Sequence, residues 1–184
     1  MTDLFRICVA RTLHHEGGKV DNVNDSGGAT NFGISLRFLK KLTGIENGYQ
    51  EGDIDKDGDI DAADIDSLTI GKVKELLYKH FWLPYGQDIE TWPLRLAFKV
   101  FDFGVNASPS VAIKTLQKTV GAMPDGVIGS ETRIKIMQSD PDTVIARFSL
   151  NQCQYYAQIT TARPTYLEFL VGWVRRAADL GETI

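Results

Sequence analysis

Apolar residues recur at steps of three and four through most of this chain, and the breaks between the runs carry cap and breaker residues. Residues 3–15 place Leu4, Ile7, Cys8 and Val9 on a helical period, which Gly17-Gly18 then stops. Ser35 caps a short helix through about Leu42, with Leu36, Leu39 and Leu42 inward. Thr69 caps a further helix whose inward residues are Ile70, Val73, Leu76, Leu77, His80 and Phe81, and Pro84 ends it. Pro93 opens the next, with Leu94, Ala97, Phe98, Phe101 and Val105 on one side. Ser108-Pro109 and Asp140-Pro141 each pair a cap with a proline in the first turn, and they start helices to about Val120 and Thr160. A shorter helix begins at Ser130 between them, and Pro164 starts the last, with Leu167, Leu170, Trp173, Val174 and Ala177 inward. Residues 19–34 lack this period and read as a small β-hairpin or irregular lobe; residues 44–52 read as a loop. No run alternates over strand length, so the expected class is all-α with at most a small β-hairpin.

Composition changes this picture little. The linkers are short, which predicts one compact body with a boundary near residue 92: a region 1–92 and a region 93–184 packed against it. No apolar run approaches the ~20 residues that span a bilayer, so stable membrane insertion is not expected. MTDLFRICVARTLHH has no basic start with an apolar core and a small-residue cleavage site, which predicts accumulation in the cytoplasm. Cys8 and Cys153 lie in separate helical patterns without metal-ligand spacing and read as buried free thiols.

Charge is distributed unevenly. The chain has 20 bases, 24 acids and a net charge of −4, yet residues 46–66 alone hold nine acids and one lysine. The remainder is net positive, a mild fit to a carboxylate-bearing or polyanionic substrate. No basic cluster with interleaved aromatics points to nucleic acid. A monomer is expected.

The acidic stretch has a register. DIDKDGDIDAAD, residues 53–64, sets Asp53, Asp55, Asp57, Asp59, Asp61 and Asp64 at positions 1, 3, 5, 7, 9 and 12 of a calcium loop, with Gly58 at 6 and Ile60 at 8. Asp59 would ligate through its backbone carbonyl and Asp61 through water. Position 12 is Asp rather than Glu, as in dockerin loops, and no long helix enters the loop. The expectation is one structural Ca2+ site, favoured over magnesium, which demands a tighter octahedron.

The second chemical candidate is HHEGGKVDNVNDSGGATNFGIS, residues 14–35. Glycoside hydrolysis needs a carboxylic acid still protonated near neutral pH, and usually a second carboxylate for water, sugar or the charged transition state. Glu16 sits where an apolar helix ends, and desolvation and the helix dipole both raise its pKa there. The two glycines that follow let a polysaccharide approach closely. Asp25 lies in a polar turn, expected solvated and ionised, and Thr30 is placed to hold a water. The bland reading makes Glu16 a solvated helix end and Asp25 a turn residue. His14, His15 and His80 complete no metal set, although His15 stands beside Glu16.

The order Glu16, Asp25, Thr30 resembles the Glu–Asp–Thr triad of phage-type lysozymes, one residue shorter before the Thr. EGG followed by Asp25, Gly27, Gly28, Thr30, Gly33, Ile34 and Ser35 resembles the start of the glycoside hydrolase family 108 N-acetylmuramidases, with Ser26 where proline is frequent and Phe32 where tyrosine is frequent. YKHFW at 78–82, the segment Phe101, Asp102, Val105, Asn106, and DGVIGSET at 125–132 resemble further parts of that family and its peptidoglycan-binding region. QYY at 154–156 and FLVGWVRRA at 169–177 resemble its closing helices.

The resemblance implies a lysozyme-like fold and an endolysin cleaving the β-1,4 bond between N-acetylmuramic acid and N-acetylglucosamine in peptidoglycan. Glu16 would be the general acid, with Asp25 and Thr30 as further catalytic residues. Phe32, Asn106 and Trp82 are candidates for the substrate face, Trp82 being equally a core anchor. Such a protein would stay in a host cytoplasm until released through a holin-type pore. The alternatives are a non-catalytic, calcium-stabilised wall-binding or secretion-assisting protein, and a calcium-dependent interaction module.

Overall fold

The protein, seen as a computed structural model, is described over residues 1–16 and 29–181, with the main chain alone at Glu16. Nine α-helices and two small antiparallel strand pairs lie among the described residues, which makes the fold mostly helical. The chain forms two compact units: Met1–Thr12 with Leu77–Ile184, and Leu13–Leu76. Among the described residues, no helix is long and apolar enough to cross a membrane.

The larger unit is organised on α5 (Leu94–Asn106), which starts after Pro93 and is buried without interruption from Leu96 to Gly104. An all-round buried helix fits its run of Leu, Ala, Phe and Val. Phe5 of α1 (Asp3–Glu16), Trp82 and Phe101 meet edge to face at centroid distances of 5.2 to 5.8 Å. Further along, Phe103 meets Phe148 and Tyr156 of α8 (Pro141–Ala162) in the same manner. α6 (Pro109–Val120) begins where the Ser108 hydroxyl accepts from Val111 N, and ends at Gly121 in the left-handed region. α7 (Ser130–Gln138) follows. The Asp140 carboxylate caps α8, and Pro164–Tyr166 forms one 3-10 turn before α9 (Leu167–Ala178).

Two charges sit inside this apolar helix. Asp102 is gripped by Arg176 of α9 through two parallel bonds of 2.7 and 2.9 Å, and both side chains are nearly buried. Lys99 Nζ donates to the carbonyls of Arg176, Ala177 and Asp179 at the end of α9, where the last carbonyls run short of intrahelical donors and Arg176 O is shared with Asp179 N. Arg11 of α1 clasps Asp179 from its other side at 2.7 and 2.9 Å. Burial pushes the Cys8 thiol up to about 12, so Cys8 is an inert core residue; Cys153 is half-buried, and both are free thiols.

The smaller unit holds a hairpin of β1 (Thr30–Asn31) and β2 (Ile34–Ser35), then α2 (Leu36–Leu39), capped by Ser35 through Phe38 N. A second hairpin, β3 (Ile45–Glu46) with β4 (Tyr49–Gln50), leads into the acidic loop and α3 (Ala62–Asp66). α4 (Ile70–Leu77) is capped by Thr69, whose hydroxyl accepts from Lys72 N. Ile34, Leu39, Ile65 and Val73 form the core. A side chain at Gly52 would collide with the Leu39 carbonyl, so only glycine lets the loop pass α2.

Several expectations change. The segment 44–52 is a hairpin, turned by Asn47 and Gly48 at φ +53° and +89°. Both its strands are exposed, so no alternation marked it. Pro84 does not end α4: the helix widens at Tyr78–Trp82 into one π turn, and Pro84 lies in the first turn of the 3-10 segment Leu83–Tyr85. α2 stops at Leu39, after which Lys41 and Leu42 make tighter bonds to the carbonyls three residues back, Phe38 and Leu39. Ile70, Leu167 and Val174, expected inward, are exposed.

Candidate functional site

The candidate residues fall on both units. In the smaller one, Glu16 is the last residue of α1, following His14 and His15 in its final turn. The last carbonyls of a helix have no donor within the helix and carry the negative end of the dipole. The Glu16 side chain and Asp25 lie outside the described residues.

Thr30 opens β1 opposite Ser35 and is half-buried. The chain reverses at Phe32 and Gly33, at φ +50° and +78°, the turn that suits a two-residue hairpin. A left-handed phenylalanine costs on the order of 1 kcal/mol or more, and the hairpin holds it at its tip. Asn31, which sequence reasoning passed over, is what ties this hairpin down. It is buried, and its Nδ2 donates 3.2 Å to the Ile65 carbonyl on α3. No motif marked it beyond its place next to Thr30.

α3 is the helix that leaves the acidic loop. Its N-cap is Asp61, whose Oδ1 accepts from Ala63 N, while Asp64 Oδ2 accepts from Asp61 N. The loop is folded by its own carboxylates. Asp53 Oδ2 accepts from Gly58 N at 3.1 Å, Asp55 Oδ1 from Asp57 N, Asp57 Oδ1 from Asp59 N, and Asp64 Oδ1 from Ile54 N. Gly58 takes φ +105°, the sharp turn its position requires. The six side chains form two triads, Asp53–Asp55–Asp57 and Asp59–Asp61–Asp64, each with ligand oxygens within 4.8 Å of one another. Asp59 thus offers its carboxylate as well as a main-chain carbonyl.

The donor set fits a hard divalent cation on one further count. Asp53 Oδ1 is buried and has no hydrogen-bond partner, a costly state for a carboxylate oxygen unless a cation meets it. Mutual repulsion is visible in the neighbours. Asp59 is held above the usual carboxylate range chiefly by the Asp57 and Asp61 charges, and Asp55 by desolvation and then by Asp57. This is an acidic cluster able to bind a metal ion.

In the larger unit, Trp82 is 1% exposed inside the Phe5–Phe101 cluster, and its Nε1 donates to Glu90 at 2.7 Å. Of the two roles open to it, it occupies that of core anchor and presents no face to a sugar. Asn106 ends α5 half-buried, its Oδ1 accepting from the Tyr156 hydroxyl at 2.8 Å, which in turn accepts from Gln152.

Residues 9–107 match the model of the family described as glycosyl hydrolase 108, and residues 111–178 match one described as a predicted peptidoglycan domain. No curated protein matches the chain. Among solved structures, that of Brucella abortus SagA is similar over 96% of this chain and 90% of its own, with 27% identity and a TM-score of 0.77.

Proposed function

The chain belongs to the glycosyl hydrolase 108 family, and from that premise we propose that it is an N-acetylmuramidase in which Glu16 is the general acid. A glycosidase region followed by a peptidoglycan domain makes it a peptidoglycan hydrolase. The bond cleaved is the β-1,4 link from N-acetylmuramic acid to N-acetylglucosamine. Glu16 gives its proton to the bridging oxygen as the C1–O bond breaks. Water then supplies a hydroxyl to C1, held by Thr30 and deprotonated by Asp25, and Asp25 returns that proton to the Glu16 carboxylate through solvent. Phe32, at the tip of the hairpin next to Thr30, borders the sugar.

The observation that carries this reading is the family match across the end of α1 and the Thr30 hairpin. A helix C-terminus is an environment that keeps a carboxyl protonated. We further propose that the acidic loop holds one structural Ca2+, supported by the partnerless Asp53 oxygen and the two triads. The protein would act as a monomeric endolysin, reaching the periplasmic wall from a host cytoplasm through a holin-type pore.

A clearing assay on chloroform-treated Gram-negative cells tests the assignment. The native protein is expected to lyse them and Glu16→Gln to leave them intact. Lysis by Glu16→Gln at the native rate would refute the acid assignment, and wall binding without lysis by the native protein would refute the activity.

A further inference from the structure

A basin of about 450 Å³ opens between the end of α6 and the start of α8, inside the stretch matched by the peptidoglycan domain. It is distant in sequence from every residue discussed above as catalytic, and its lining is chemically mixed. The hydroxyls are engaged within the fold. Ser139 donates to the Lys135 carbonyl, Thr143 to Asp140 Oδ2, and Thr119 to the Thr115 carbonyl while accepting from Asn151. The Gly121 carbonyl is taken by Lys135.

What remains is charge. Lys118 and Arg147 line the basin, and their side chains have neither a hydrogen bond nor an ion pair among the described residues. Asp140 faces the same basin. Both its bonds, to Thr143 N and to the Thr143 hydroxyl, use Oδ2, which leaves Oδ1. The Thr143 hydroxyl and then its N–H hold the Asp140 carboxyl below the usual carboxylate range, so it is ionised at neutral pH.

Two cations and one carboxylate select by sign. A phosphate or sulfate would meet Asp140, and a simple cation would meet Lys118 and Arg147. A ligand with both a carboxylate and an ammonium satisfies all three, and the volume suits one amino-acid head group with part of its neighbours. Wall polymer carries such groups on its stem peptides, whereas its glycan strand does not.

We propose that the basin between α6 and α8 is a stem-peptide subsite, binding an amino-acid head group with its carboxylate on Lys118 and Arg147 and its ammonium on Asp140. The subsite rests on the reading of the chain as a peptidoglycan hydrolase only for the identity of its ligand. It sets specificity, favouring peptide-bearing over bare glycan.

Calorimetric titration of the full chain tests this. The probes are the tetrapeptide L-Ala-γ-D-Glu-meso-diaminopimelate-D-Ala, the same peptide acetylated on both its free amines, and inorganic phosphate. The native protein is expected to bind the free tetrapeptide, and the Lys118→Ala/Arg147→Ala double variant to bind it at least tenfold more weakly. Asp140→Asn keeps the helix cap and is expected to lose the preference for the free over the acetylated peptide. Hydrolysis is read in parallel on intact walls and on strands stripped of peptide. The double variant should slow on the first and match the native rate on the second. No binding of the tetrapeptide, equal binding by the double variant, or displacement of the peptide by phosphate at equal concentration would overturn the proposal. Peptide binding that depends on Lys118 and Arg147, in a native protein that cleaves neither substrate, would uphold the subsite and refute the hydrolase reading alone.

Discussion

Asn31 and Ile65 are joined by a buried hydrogen bond, from the Asn31 carboxamide nitrogen to the Ile65 main-chain oxygen, 3.2 Å long. It links the strand that begins with Thr30 to the helix that leaves the acidic loop. Any change in the loop that moves α3 is therefore felt at the hairpin. Replacing Asn31 by Ala strands a buried carbonyl and should cost about 1–2 kcal/mol in denaturant unfolding. If calcium acts on lysis through this link, the variant keeps its calcium-induced rise in Tm and loses most of the calcium stimulation of wall clearing. Stimulation undiminished in the variant would break the link.

Calcium should stabilise the native protein by mass action, by about 2.7 kcal/mol at a hundredfold excess over Kd. Asp53→Asn removes the charge at the oxygen that has no protein partner, and it should lose that gain in a thermal melt with and without chelator. The sign with pH follows from Asp55 and Asp59, whose folded carboxyls lie above their ordinary values. Over the window from the ordinary carboxylate value to the raised one, the folded metal-free loop binds more protons than the unfolded chain. Metal-free stability therefore falls as pH rises through that window. Melts of the chelated protein across acidic pH, compared with Asp55→Asn/Asp59→Asn, check it.

Lys99 is lowered to about 8, first by burial. Between about 8 and the ordinary lysine value of 10.5, the unfolded chain holds a proton that the folded one has released, so stability contributed by this group rises with pH over that range. Lys99→Met should flatten the rise, seen in urea unfolding from pH 7.5 to 10. Breaking the neighbouring pair is more severe. Arg176→Met leaves Asp102 buried and uncompensated, at a cost of about 3–5 kcal/mol.

Gly104 touches Tyr85. A methyl there would overlap the Tyr85 hydroxyl, which donates 3.1 Å to the Val100 carbonyl. Gly104→Ala should destabilise by about 1–3 kcal/mol. Adding Tyr85→Phe should recover part of that loss, a non-additivity that a double-mutant cycle measures.

Much of the helical frame was legible because its signals are local. Ser108-Pro109 and Asp140-Pro141 start helices where the cap-proline pairs stand, and Thr69 and Ser35 cap as expected. The second hairpin was missed because a pattern of apolar alternation needs a buried face, and β3–β4 has none; its only signal was the Asn47-Gly48 turn. The acidic loop was legible as a register because its carboxylates bond to nearby main-chain N–H groups. Asn31, Lys99 and the basin were not. Each depends on partners 18 or more residues away in sequence, and no spacing encodes such a meeting.

The grip of α9 on α5 has a consequence for synthesis. Lys99 and Asp102 leave the ribosome some seventy-five residues before Arg176 and Ala177 that answer them. A nascent chain cannot bury α5 at low cost until its final helix has emerged. A polypeptide cut short there carries two unanswered charges at its centre, and cellular proteases should clear it before any wall-degrading activity accumulates.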